Sequence, residues 1–350
     1  MKRQDTQNAF AIICSAAFIV ILILKPELCT KGATEGLLLA GRVIIPSLFP
    51  FTACVLFIMK SGGTELFGFA APFTKKVFHI SPELFSIMLL SLIGGYPVGA
   101  KLLNEGVKSG RLSPKNAGIM LNYCVNAGPA FVVLAVGEGI IGSKSVGYIM
   151  LAAHIISSLI LSVFFGFFIK DDKEKSLVKA EDLGAADNFV ASVSESAAAV
   201  FSVCAYVVFF STVTEYIGFY TDKIPPLKYI LPLLEVTNAV SKTKNIVIIS
   251  FLLGFAGISI WCQILSVGRL IKLNLGVFAL SRIVHGLFSA VLCALLLKLF
   301  GIAVFTSAQI RYSPAYGGAA LTLSMASMVI ILLISLFSEK RTGNILKDIV

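Results

Sequence analysis

Residues 146–169 run without an Asp, Glu, Lys or Arg. A helix of that length rises about 36 Å, enough to cross the roughly 30 Å hydrocarbon core of a bilayer. Further apolar runs lie at 9–24, 34–59, 193–218, 277–300 and 321–337. In lipid every backbone N–H and C=O must find its partner within the protein, so only helices and closed barrels span a membrane. The runs here are continuous rather than alternating, which argues against a barrel. The expected fold class is all-α, a polytopic transmembrane helical bundle. Composition agrees: charged residues are 14% of the chain and hydrophobic residues 57%, against about 25% charged in a soluble domain.

The runs are interrupted in a telling way. Gly94-Gly95 ends the half-span 82–93, and Gly95-Tyr96-Pro97-Val98-Gly99-Ala100-Lys101 opens a more polar half at 98–108. Gly257-Ile258-Ser259-Ile260-Trp261-Cys262-Gln263 stands in the same relation to 246–254 and 260–271. Pro46 and Pro50 predict a kink or split within 34–59, because each proline removes a backbone donor. A further weak point, Asn126-Ala127-Gly128-Pro129, falls within 114–136, and 225–232 is a proline-rich crossing before 233–240. The stretch 64–80, with Lys75, Lys76 and His79, reads as an interfacial helix.

These breaks point to a duplication. Ser47 lies opposite Ser202, Gly95 opposite Gly257, and Gly110-Arg111-Leu112 opposite Gly268-Arg269-Leu270, at separations of 155, 162 and 158 positions. The expectation is two repeats, inverted in topology, with discontinuous helices. Broken helices paired in two halves of a membrane protein mark the solute site of many transporters.

Other functions find little support. The net charge of +10 is scattered toward the ends of apolar runs, as at Lys2 and Arg3 or Lys340 and Arg341. The positive-inside rule places such charge there, so both termini are expected in the cytoplasm and no nucleic-acid partner is expected. The run 9–24 ends abruptly at Lys25-Pro26 without a small-residue cleavage site, so a retained helix is expected rather than a signal peptide. The seven cysteines form no Cys-x-x-Cys, and His79, His154 and His285 are far apart without acidic neighbours at ligand spacing. No metal and no cofactor are expected. The chain has no Gly-x-Ser-x-Gly elbow, no P-loop and no His-Glu-x-x-His, so it is not expected to be an enzyme.

The candidate binding residues follow from the breaks. A helix starting near Gly95, Tyr96, Pro97 and Val98 presents unsatisfied amides and partial positive charge, and Lys101 sits one turn inside it. Ser259 is the matching N-cap in the second copy, with Gln263 in the place of Lys101. Glu235 in Pro232-Leu233-Leu234-Glu235-Val236-Thr237-Asn238 is an acid in an apolar run, which is costly and usually functional; Thr237 and Asn238 add hydrogen-bonding groups. Asn122 and Asn126, four apart, would share a helix face and line the cavity. Arg282 and His285, three apart, share another face, where either could meet an anion. Each has a plainer reading: helix packing at the glycines, snorkelling for Lys101, a buried ion pair for Glu235, and helix packing for Arg282 and His285.

Five strings resemble the sporulation integral membrane protein YlbJ family: Pro46-Ser47-Leu48-Phe49-Pro50-Phe51, Gly95 to Lys101, Asn126 to Pro129, Pro232 to Asn238 and Ser259 to Gln263. That family belongs to a wider group with nucleoside-recognition Gate domains, which includes the concentrative nucleoside transporters. The resemblance covers about 35–300. It implies a spore-forming bacterium, a protein of the cell membrane or outer forespore membrane, and transport of dipicolinate toward the forespore. The expected organisation is an N-terminal transmembrane helix at 1–30, Gate-like repeats at 31–170 and 191–300, and a soluble charged connector at 171–190. A loop, a final transmembrane helix and a basic tail occupy 301–350. The expected partners are a small anionic substrate and membrane lipid, and a homo-oligomer is compatible with such a bundle. Two rivals stay open: a carrier of nucleosides or another polar solute, and a sporulation assembly factor that transports nothing.

Overall fold

The computed structural model describes residues 2–63, 73–169 and 184–304. The span expected at 321–337, most of the connector at 171–190 and residues 64–72 of the interfacial helix lie outside them. Every regular element among the described residues is helical. After α1 (Lys2–Leu24), Lys25 leads directly into α2 (Pro26–Lys60). Pro26 opens α2 at a position where a missing N–H is harmless.

Neither Pro46 nor Pro50 splits α2. The helix instead widens into a π-helical stretch, Ala40–Ile44, where the Ile45 amide donates five residues back to the Ala40 carbonyl. The wider turn sits directly before Pro46, where a proline lacks its N–H and crowds the preceding turn. Residues 45–60 then continue as α-helix through Pro50. The expected interruption becomes a local change of pitch.

Helix α8 (Ala185–Phe219) matches α2 in length, and its first turns fall inside the stretch read as a connector. The two helices pack antiparallel, with Asn188 beside Lys60 and Thr212 beside Gly32. A β-carbon on Gly32 or Gly36 would lie 2.6 Å from a backbone Cα of α8. Small residues four apart allow this close approach, which drives helix association where lipid offers no hydrophobic gain. Both helices have 35 residues, about 52 Å of helix. They therefore overrun the hydrocarbon core. Lys31–Glu215 ties the pair at one end, and Lys60–Glu195 joins them toward the other.

The interior is built from shorter pieces. In chain order these are α3 (Pro82–Gly94), α4 (Tyr96–Lys108), α5 (Pro114–Met120), the π-helical α6 (Ala130–Ile141) and the long α7 (Lys144–Gly166). After α8 come α9 (Leu227–Leu234), α10 (Val236–Lys242), α11 (Ile246–Phe255), α12 (Gly257–Val267) and the long α13 (Leu275–Leu299). Ser81, Ser113, Ser143, Asn245 and Asn274 each cap the helix that follows with a side-chain oxygen. Helix α7 packs on α13, α6 on α7, and α11 on α13. Among the described residues five helical spans are long and apolar enough to cross a bilayer: α2, α7, α8, α11 continued by α12, and α13. The protein is an integral membrane protein.

Candidate functional site

The interruptions of the helices meet in two places. Gly95, between α3 and α4, has φ 87° and ψ −178°, a region open essentially only to glycine. It lies against Gly128 of the non-helical stretch 121–128, all of it buried, which ends where Pro129 opens the next helix. The second meeting joins Glu235, between α9 and α10, to the junction of α11 and α12. There Ala256 and Gly257 both have positive φ, 72° and 68°. A β-carbon on Gly257 would stand 3.2 Å from the Val236 nitrogen. The Tyr96 hydroxyl links the two places by donating to the Leu253 carbonyl over 2.7 Å.

Irregular backbone survives at membrane depth only where the protein satisfies it, and at 121–128 two long helices do so. His154 of α7 accepts the Ala127 amide at Nε2 over 3.0 Å, and Ser158 donates to the Tyr123 carbonyl over 2.8 Å. Arg282 of α13 donates to the Val125 carbonyl over 2.7 Å and to the Asn122 carbonyl. The guanidinium thus caps backbone carbonyls left without helical donors. His285 approaches the His154 carbonyl at 3.2 Å, and the two imidazole centroids are 4.5 Å apart.

This geometry revises two expectations. Asn122 and Asn126 do not share a helix face, because α5 ends at Met120. Pro129 disfavours helical geometry in the residue before it, and both side-chain amides turn to nearby carbonyls, of Gly118 and Ile119 for Asn122 and of Tyr123 for Asn126. Their Oδ1 atoms, with Arg282 Nε and both histidine Nδ1 atoms, are buried without a hydrogen-bond partner. Ser259 is likewise not an N-cap. Helix α12 starts at Gly257 behind Ala256, and Ser259 lies inside its first turn, accepting from Gln263 over 3.4 Å.

Glu235 is 1% exposed and caps α10. Its carboxylate accepts the Thr237 amide over 3.0 Å and the Asn238 amide. Neither Lys101, Arg282 nor His285 is the group that its oxygens meet in these contacts. Asn238 Nδ2 reaches Thr214 Oγ1 of α8 over 3.4 Å, so the second meeting place is anchored on a long helix as the first is.

Pro97 stands at the start of α4, where its missing N–H costs nothing, and Val98 follows with its amide bonded to the Gly95 carbonyl over 3.1 Å. Lys101, one turn further, is 3.0 Å from Glu195 Oε2 and also donates to the Glu195 carbonyl over 3.3 Å. Lys60 of α2 takes the other oxygen of the same carboxylate at 2.8 Å. Candidate residues of the first break thus gather at Gly95, Tyr96 and the segment 121–128 with Arg282. Those of the second gather around Glu235 and Gly257. Lys101 connects the first to α8.

Sequence reasoning did not single out Glu195, Lys60, Ser158 or the pairing of His154 with His285. Glu195 carried a usable signal, being an acid in an apolar run like Glu235, and His154 is a titratable group inside a charge-free span.

Broken helices paired inside a bundle of membrane-spanning helices define the class: a polytopic α-helical membrane protein with discontinuous helices. The chain is similar to the sporulation integral membrane protein YlbJ of Bacillus subtilis (strain 168), with 21% identity over 339 residues, covering 83% of each protein. This supports the relationship to the YlbJ family read from the motifs. No protein-family model matches the chain, and no solved structure matches it.

Proposed function

We propose that the protein carries a small organic anion across a membrane of a sporulating cell, with dipicolinate moving toward the forespore as the substrate. One observation carries the reading: four helix interruptions, at Gly95, 121–128, Glu235 and Ala256–Gly257, are brought together in pairs inside an apolar bundle. Such irregular backbone is costly in a membrane protein and is characteristic of solute sites. The name of the Bacillus subtilis relative supports the sporulation setting, and the outer forespore membrane is the location this reading assigns.

In this account Lys101, the Tyr96 amide and the amides near Ser259–Trp261 receive the carboxylates. Asn122, Asn126, Thr237, Asn238, Gln263 and Arg282 orient the ring and hold the breaks in shape, and Glu235 is the candidate for proton coupling. No bond is made or broken in the substrate, so the protein acts as a carrier and not as an enzyme.

The repeat belongs to the same reading. Each half holds a 35-residue helix, two interrupted pieces and a closing helix. What supports inversion is the antiparallel packing of α2 on α8, with α7 packed on its counterpart α13. In this order Gly95 corresponds to Glu235 and Ala127-Gly128 to Ala256-Gly257, in place of the Gly95–Gly257 correspondence. His154 corresponds to His285, 131 positions on. Alternating access then rocks one part of the bundle about the fixed breaks.

The test is uptake of labelled dipicolinate into proteoliposomes. Uptake that saturates, and that excess uridine leaves unchanged, is the expected result. Uptake no faster than in protein-free liposomes would refute the reading, and inhibition by uridine would move the assignment to a nucleoside carrier.

A further inference from the structure

Lys60 and Lys101 come from different helices, α2 and α4, and converge on one carboxylate, Glu195 of α8. Two cations against one anion leave an excess positive charge. The Lys101 side chain is 15% exposed and that of Lys60 26%, while Glu195 is the most exposed of the three at 37%. Neutralising either lysine would take one carboxylate oxygen. Each lysine holds one oxygen of Glu195, so the two ammonium groups together form a two-point cradle of the kind that suits a carboxylate.

Two further groups mark the same level. Thr52 Oγ1 of α2 and Ser196 Oγ of α8 are buried hydroxyls without a partner. The antiparallel register, with Lys60 beside Asn188 and Gly36 beside Val208, sets Thr52 opposite the turn that holds Glu195 and Ser196. A buried hydroxyl left unbonded costs about 1–3 kcal/mol, which an arriving acceptor would remove.

The position along the membrane is also informative. Glu195 and Glu215 are separated on α8 by about 30 Å of helix, roughly the hydrocarbon thickness. Glu195 therefore lies near one face of the core, away from the face marked by Lys31–Glu215. Lys101 lies only about 7 Å along α4 from Tyr96 at the first break.

We propose that Lys60 and Lys101 form an entry site for a substrate carboxylate, and that Glu195 is a tethered stand-in which the substrate displaces. This rests on the anion-carrier reading and adds to it a mouth, a second cation and a competitor. Leaving two lysines without an anion at this depth is costly, so Glu195 departs as the substrate arrives. The displaced carboxylate is the most exposed member of the cluster and has water to move into. The freed lysine on α4 then leads the anion to the break at Tyr96.

The experiment compares wild type, Glu195→Ala, Lys60→Gln and Arg42→Gln, a substitution on the exposed face of α2, as purified monodisperse protein. Binding of labelled dipicolinate is measured with and without acetate as a replacement carboxylate. A tethered group competes at an effective concentration in the millimolar range. Glu195→Ala should therefore bind dipicolinate about tenfold tighter, Lys60→Gln about tenfold weaker, and Arg42→Gln as wild type does. Acetate should raise the melting temperature of Glu195→Ala more than that of wild type.

Unchanged or weaker binding in Glu195→Ala, with wild type binding normally, would overturn the proposal and leave the carrier reading in place. Rescue by acetate without dipicolinate binding in any protein would keep the carboxylate site and remove dipicolinate as its ligand. Neither rescue nor binding would reduce the cluster to a clasp between helices and overturn the proposal.

Discussion

The imidazoles of His154 and His285 lie 4.5 Å apart at the contact of α7 with α13, although 131 positions separate them in the chain. His154 accepts the Ala127 amide and His285 meets the His154 carbonyl, so the pair ties the interrupted segment 121–128 to both long helices. The same two helices contribute Ser158 and Arg282 to that segment. The first break is thus held by side chains of both halves of the chain.

His154→Ala should destabilise the protein, because it leaves the Ala127 amide buried without an acceptor. The expected cost is about 1–3 kcal/mol, read as a lower melting temperature in detergent. His154→Gln can still offer an acceptor and should recover part of the loss. An unchanged melting temperature in His154→Ala would contradict the capping role.

Arg282→Met removes the donor that serves two carbonyls, of Val125 and Asn122. Each orphaned group costs about 1–3 kcal/mol, so this substitution should be more damaging than His154→Ala. Arg282→Lys keeps a charge but lacks the planar fork that reaches both oxygens. It should fall between wild type and Arg282→Met in thermal stability and in the fraction of monodisperse protein.

Gly95→Ala forces a β-carbon onto a backbone with φ 87° and ψ −178°. A residue held in that region costs about 1–3 kcal/mol, and the new carbon would stand 3.3 Å from Leu48 Cδ2 and 3.4 Å from the Gly128 nitrogen. Both stability and dipicolinate binding should drop. The same change at Gly41, where a β-carbon meets nothing within 4 Å, should leave both unaltered.

Glu235→Ala should cost about 0.5–2 kcal/mol through loss of the α10 cap, while Glu235→Gln keeps an oxygen for one of the two amides and should lose less. If Glu235 also carries a proton during transport, Glu235→Gln will bind substrate yet lose the acceleration of uptake by a pH gradient. Uptake by Glu235→Gln with the wild-type response to that gradient would leave only the capping role.

Much of the fold can be read from local pattern. Long apolar runs forecast the long helices, and the glycines at 95 and 257 forecast breaks, because period and backbone freedom are properties of neighbouring residues. Three features resist such reading. Pro46 and Pro50 predict a kink or split in α2, and a π-helical turn at Ala40–Ile44 accommodates them within one unsplit helix. Spacing puts Asn122 and Asn126 on a helix face, whereas Gly128-Pro129 and side-chain bonds to nearby carbonyls end the helix first. Lys101 reads as a group facing a ligand or the interface, while its partner Glu195 lies 94 positions away on α8. Contacts made across helices depend on which faces pack, and no window of sequence holds that information.

The central claim is that the paired breaks, with Lys101 beside them, receive a small organic anion. Equilibrium binding of labelled dipicolinate to the purified protein in detergent, with uridine as competitor and Lys101→Ala alongside, tests it most directly. The account predicts saturable binding that uridine does not displace and that Lys101→Ala weakens by tenfold or more. Absence of binding to folded, monodisperse wild-type protein, or equal binding by Lys101→Ala, would contradict it.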